Sequence, residues 1–267
     1  MEFLTPAEAH FQKAMALHRG ETDNGLSRAQ LNHYDEMLHR LRTDKTQLSE
    51  IQGNSRKAEY KKNVIPNYQG WIDGVLEAQN GLADEVFVTL IIWHLDAGLY
   101  AKALDMAAYA LAFNLPLPDD YNRTLATTLI DEICDRSLQV RASGKQDETV
   151  ATLDELLRLA QLTANQDMPD GARAKLYKVI GFALKDDEKR QVDALEYLQQ
   201  AILLDKDVGV KKDIEQLLRA TAKKDDSPSN DDIEAPKPKS TSKTTPKKAT
   251  TAAKPKTTTR STKAAKS

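Results

Sequence analysis

Two carboxylates with a nearby lysine are the residues in this chain that could do metal-dependent chemistry. Pro169-Asp170 and Asp187-x-Lys189 spell a string found in Mg²⁺-dependent nucleases, where two carboxylates hold one metal. That string works when paired strands fix both carboxylates about the metal. Here its halves fall at a helix start and in a polar turn between helices. A second acidic pair, Asp119-Asp120, lies in a Pro-rich loop and reads as a solvated turn. The five histidines (His10, His18, His33, His39, His94) never stand at i and i+4, and one cysteine cannot make a zinc site. Cys134 reads as a small apolar core residue, and a single cysteine forbids an internal disulfide. Neither a G-x-x-x-x-G-K-[ST] phosphate loop nor a G-x-S-x-G elbow occurs. Catalytic residues stay unassigned. No cofactor or metal is expected, with Mg²⁺ entering only if the chain is a nuclease.

The other available chemistry is phosphate neutralisation. Arg56, Lys57, Lys61 and Lys62 cluster near the end of a helical stretch; residues 28–62 hold eight bases and five acids. Such a cluster can contact nucleic-acid phosphates. It can equally be a solvated face with favourable charge near a helix C-terminus. Residues 235–267 hold ten Lys or Arg and no acid, among them Lys247, Lys248, Lys254 and Lys256. This segment reads as an electrostatic arm for DNA or an acidic protein surface, or else as a solubilising linker. The preceding residues 225–234, with five acids and no base, can shield it in cis. The formal net charge of −2 hides this layout, because residues 70–224 sum to −8. Basic surface belongs to the two ends, and the acidic middle suits protein contacts.

The elements that must position these charges read as all-α, with no period-two strand pattern joined by hairpin turns. Thr5, Pro6 and Glu8 form an N-terminal capping pattern for a helix over 5–19, whose apolar side is Phe11, Met15 and Leu17 or His18. Residues 27–63 read as one long helix capped by Ser27. Leu31, Tyr34, Leu38, Leu41 and Leu48 form a short a/d seam in it, which can pair with a partner chain or fold back on its own. Gly53-Asn54 is a possible break, giving a helical hairpin. Pro66 closes the helix, and Trp71 starts a short one that ends near Asn80-Gly81. Trp71 reads as a core anchor rather than a base-stacking platform. Val86–Trp93 is the densest apolar run, capped by Asp84. After Gly98, Ala103, Ala107 and Ala110 line a second helix packed against it, stopped by Pro116. Further helices are expected over 124–142 (capped by Thr124 and ended by Gly144), 148–164, 167–184, 191–204 and 207–222.

The segments around Ala103-Leu104 and Ala194-Leu195 each resemble the second helix of a tetratricopeptide unit, the latter facing Ile180-Gly181. Their spacing is not a multiple of 34, so irregular stacked pairs are expected rather than a regular array. From residue 223, Ser, Thr, Lys, Pro and Ala dominate and disorder is expected. The expected organisation is a basic N-terminal helical or coiled-coil segment (1–66), a core of TPR-like helix pairs (67–222) and an acidic-then-basic tail (223–267). The start MEFLTPAEAHF has no signal-peptide pattern, and Val86–Trp93 is too short to span a bilayer. A soluble, cytoplasmic protein without membrane contact is expected.

Several motifs, in order, resemble one family. They are Trp71-Ile-Asp-Gly-Val-Leu-Glu, Gly81-Leu-Ala-Asp-Glu, Trp93-His-Leu-Asp-Ala-Gly and Ala103-Leu-Asp…Tyr109-Ala-Leu. Further along come Ala164-x-x-Asp167-Met-Pro-Asp-x-x-x-Ala-Lys-Leu-Tyr-Lys and Gly209-Val-Lys-Lys-Asp-Ile-Glu. Together they resemble the small terminase subunit of cos-type tailed phages, of the M-protein type, from the N-terminal helix to about Arg219. The resemblance implies a phage- or prophage-encoded packaging protein working in the host bacterial cytoplasm. It implies binding to the cos site on concatemeric double-stranded viral DNA, homo-oligomer assembly, and recruitment and regulation of the large ATPase subunit. The family is also described as the terminase's endonuclease subunit, so a Mg²⁺-dependent nuclease that itself cuts cos is the alternative implied. A helical-repeat scaffold without DNA contact is a third reading of the residues.

Overall fold

Two glycines and one buried carboxylate decide how the N-terminal half packs. The computed structural model describes residues 4–20, 28–118, 122–144 and 150–225. These residues form α1 (Pro6–Leu17), α2 (Arg28–Glu50), α3 (Asn54–Val64), a 3₁₀ turn (Ile65–Tyr68), α4 (Gln69–Ala78), α5 (Glu85–Asp96) and α6 (Tyr100–Ala112). Then follow α7 (Leu125–Ser143), α8 (Leu153–Thr163), α9 (Asp170–Leu184), α10 (Gln191–Leu204) and α11 (Lys211–Asp225). The described residues are all-α and include no strand. None of their helices is long and apolar enough to cross a membrane.

Local signals produce many of the ends as expected. Thr5 and Glu8 close a capping box on α1, Asp84 Oδ1 accepts from the Phe87 N–H at 2.8 Å, and Thr124 caps α7. Gly144 ends α7 at φ 67°, in the left-handed region that favours glycine. Two expectations change, and one alternative left open is decided. The stretch over 27–63 is two helices, broken at Gly53-Asn54 as one reading had it, because the chain leaves α2 at Ile51 and Gly53 is extended at φ −87°, ψ 128°. Ser27, its expected cap, lies outside the described residues. The helix expected from Glu148 begins at Leu153, because Thr152 is extended and forms a capping box with Glu155; Glu148 itself is outside the described residues. The last helix begins at Lys211 and reaches Asp225.

The face of α1 also differs from expectation. Phe11 is 54% exposed, whereas Gln12, Ala16 and Arg19 are buried. The cause lies in α4. A Cβ at Gly70 would stand 2.2 Å from Ala9 O, and one at Gly74 would stand 2.4 Å from Lys13 O and 2.6 Å from Ala16 Cβ. The two backbones therefore touch, and only small or slender side chains fit on that side of α1.

At the end of α1, Arg19 Nη1 donates to Asp84 Oδ2 at 2.8 Å, and Nη2 donates to Ala83 O at 2.8 Å. The Trp71 Nε1–H donates to the same carboxylate oxygen at 2.9 Å. The Arg19 guanidinium lies 3.9 Å from the Tyr34 ring centroid, and Tyr34 stacks on Trp71. The Tyr34 hydroxyl accepts from the Glu85 N–H at 3.1 Å. Burial pushes the Asp84 carboxyl above the usual carboxylate range, while Arg19 and the Phe87 and Trp71 N–H groups oppose that shift. One buried charge pair thus ties α1, α2, α4 and α5 together.

α5 is the centre of the core. Val86 to Leu95 are buried without a break, and the helix touches α2, α3, α4, α6 and α7. The α2 seam packs into this core: Leu41 and Leu48 are buried, Tyr34 and Leu38 pack against it, and Met37, outside the seam, is buried with them; the Leu31 side chain lies outside what the structure describes. α5 and α6 form one hairpin through buried Ala103, Ala107 and Ala110. α9 and α10 form another. There a Cβ on Gly181 would stand 2.5 Å from Leu198 Cδ2, so the two helices meet closely. α7 and α8 lie between these pairs in sequence.

Two stability outcomes follow, both read by chemical denaturation. Gly74→Ala forces the α1 and α4 backbones apart and costs about 1–3 kcal/mol, whereas Gly171→Ala, with nothing within 4 Å of its new methyl, is neutral or stabilising. Arg19→Ala and Asp84→Ala each cost about 3–5 kcal/mol by leaving a buried charge alone, and the double variant costs less than their sum.

Candidate nucleic-acid interface

The basic cluster lies on α3, and that helix is held by its aromatic side. Tyr60 and Tyr68 donate to the two oxygens of Asp44 on α2, at 2.7 and 2.6 Å. Burial and the Asp44 carboxylate raise both phenols above the ordinary tyrosine range, so they stay protonated donors. Val64, Ile65 and Tyr68 are buried beneath the end of α3. This anchoring turns the lysines of α3 toward solvent and toward α7.

Between α3 and α7 runs a groove of about 870 Å³. Lys57, Lys61 and Lys62 line one wall. Glu132, Asp135, Arg136 and Gln139 line the other, and Asp96 to Gly98 form the floor. Three of the four expected cations therefore share one groove, while Arg56 is exposed beside it. The four are not equivalent. Arg56 and Lys62 are exposed and Lys57 is half-buried. Lys61 Nζ forms an ion pair with Asp96 Oδ2, and its side chain is only 15% exposed. Across the groove, burial and the neighbouring Asp96 and Asp135 push the Glu132 carboxyl above the usual carboxylate range, with Lys61 opposing them.

Sequence reading missed these acidic partners. Asp96 is 35 residues from Lys61 and reads locally as the end of a helix before a Gly turn. Only the docking of α3 beside the α5–α6 turn brings the two together. Lys247, Lys248, Lys254 and Lys256 lie outside the described residues, as do Asp119 and Asp120.

The nuclease string does not assemble. Asp170 is the first residue of α9 and Asp187 follows its end, so a helix of about 22 Å separates them. Asp187 Oδ1 instead accepts from the Lys189 N–H at 2.9 Å, closing a local turn. One divalent ion cannot reach both carboxylates. Among the described residues, no group of three or more His, Cys, Asp or Glu is placed to hold a metal.

A second groove, of about 700 Å³, opens between the starts of α7 and α9 and includes the Asp167-Met168-Pro169 motif. Its cations are paired with carboxylates of α7. Lys175 Nζ pairs with Asp131 at 2.8 Å and Asp135 at 2.7 Å, and Arg123 also pairs with Asp131. It stitches α7 to α9 and carries no cluster of unpaired cations.

The family model described as phage small terminase subunit matches residues 38–171. That span contains α3, the groove and the hairpin of α5 and α6. The chain is also 35% identical over 218 residues to the "Terminase, endonuclease subunit" of Escherichia phage P2, covering 80% of this chain and 85% of that protein. No solved structure matches. Helical architecture, ordered motifs and these matches agree, and the chain belongs to the phage small terminase subunit family.

Proposed function

We propose that this terminase subunit binds the cos site of concatemeric viral double-stranded DNA through α3, assembles as a homo-oligomer, and recruits and regulates the large ATPase subunit. The observation that carries the DNA contact is the exposure of Arg56 and Lys62, with Lys57 beside them, on a helix anchored from behind by Tyr60 and Tyr68. Fixed cations on a rigid helix meet phosphates at little conformational cost and release condensed counterions. The basic segment 235–267, with Lys247, Lys248, Lys254 and Lys256, supplies a second, sequence-independent attraction. The acidic surface of 70–224 repels a polyanion and suits contacts with protein: further copies of this chain and the large subunit.

A second reading, that the chain itself cuts cos with Mg²⁺, is favoured by the printed name of the phage P2 relative. The separation of Asp170 from Asp187 across α9 speaks against the one metal site that the sequence suggests.

Binding to a cos fragment is measured by fluorescence anisotropy between 50 and 200 mM salt. Charge reversal of Arg56, Lys57 and Lys62 together flattens the plot of log affinity against log salt by about 0.9 per lost phosphate contact. Unchanged binding overturns the α3 assignment. Incubation of the purified protein with cos DNA and Mg²⁺, without the large subunit, yields no nicks. Nicking that is lost in Asp170→Ala or Asp187→Ala establishes the second reading instead.

A further inference from the structure

Asp96 is an unusual residue to find at its position. It ends α5, where the helix macrodipole disfavours an anion. Its neighbours in the groove include Glu132 and Asp135, also anionic. What it gains there is Lys61: the two side chains are 15% and 31% exposed and form a direct ion pair. Lys61 occupies the last turn of α3, next to Lys62, which points to solvent. A lysine already paired with a partly shielded carboxylate neutralises no phosphate, and so displaces no condensed counterion from the DNA. To reach a phosphate it must first break its pair, and Asp96 then repels that phosphate.

We propose that Asp96 sets the affinity of the α3 surface for DNA by holding Lys61 out of the phosphate contacts. The inference rests on the DNA reading above. It divides the sequence-level cluster into two kinds of cation. Arg56, Lys57 and Lys62 meet phosphate. Lys61 anchors α3 to the α5–α6 turn. Glu132 and Asp135, on the α7 wall, act in the same sense. They disfavour phosphate at the α7 wall, so the duplex meets α3 through Arg56, Lys57 and Lys62. Asp135 is already paired with Lys175, which leaves Glu132 as the carboxylate facing Lys61 and Asp96. Burial first, and then the negative charge of Asp96 and Asp135, raise the Glu132 carboxyl.

The full-length protein is titrated with a duplex carrying the cos site at several salt concentrations. Asp96→Asn keeps a side chain of the same size and removes an anion from a helix C-terminus, so the fold is retained. It frees Lys61, steepens the salt slope by about 0.9 and tightens binding severalfold at low salt. Lys61→Gln leaves the slope of the parent unchanged, whereas Lys62→Gln flattens it by about 0.9. The double variant Asp96→Asn with Lys61→Gln shows no added slope. An Asp96→Asn slope equal to that of a parent that binds overturns the inference, as does a Lys61→Gln loss matching that of Lys62→Gln. Failure of the parent to bind DNA is a different result, which removes the DNA reading and this inference with it. A readout without DNA is the rate of amine acylation, mapped by mass spectrometry. Lys61 reacts more slowly than Lys57 and Lys62 in the parent and catches up with them in Asp96→Asn. Equal rates in the parent overturn the proposal.

Discussion

The Arg19–Asp84 pair is the interaction on which the N-terminal half depends. A single carboxylate caps α5, receives the guanidinium at the end of α1, and accepts the indole N–H of α4. Tyr34 of α2 covers the guanidinium. Buried charges of this kind add little net stability compared with an apolar replacement, but they tolerate no partial arrangement. Each helix must arrive at its own angle or leave a charge unmatched. The close approach of α1 to Gly70 and Gly74 then follows from that geometry. α5, buried along its length, is fixed at its N-terminus by this cluster and at its C-terminus by Lys61 and Asp96. The same helix therefore connects the core to the surface proposed to meet DNA.

Positive charge in this chain is not simply displayed. On α3 it is sorted by neighbours into exposed and paired cations. On α7 and α9, Lys175 and Arg123 are absorbed by Asp131 and Asp135. Around Phe182 the cations of Arg141, Lys178 and Lys185 gather within 6 Å of the ring centroid, and Lys185 pairs with Asp213. Counting bases along the sequence overstates the charge available to a polyanion. What remains available is a small set of side chains.

The local grammar of the helices was legible. Thr5 with Glu8, Asp84 and Thr124 are caps because their side chains reach N–H groups within the same turn, and Gly144 ends α7 through its own φ. The Val86–Trp93 run marked the centre of the core because nothing but burial accommodates eight such residues on all sides of a helix. Failures came where a distant residue decides. Phe11 was assigned inward from its hydrophobicity, yet glycines some sixty residues later dictate which face of α1 can be covered. Arg19 read as a helix end and is a buried charge paired with the still deeper Asp84. Lys61 read as one of four equal cations, and a carboxylate on another helix distinguishes it. Asp170 and Asp187, by contrast, already fell at a helix start and in the turn after it, and the rigid helix between them holds them apart.

The link between Arg19 and Asp84 also has a meaning during synthesis. At about 5–20 residues per second, Asp84 is made roughly 3–13 s after Arg19. Through that interval the Arg19 guanidinium has no carboxylate partner, although Gly70 and Gly74 of α4 are made 14 and 10 residues before Asp84. The cluster that ties α1, α2, α4 and α5 together can close only once Asp84 has been made, so this part of the packing is completed after the synthesis of α1 and not along with it.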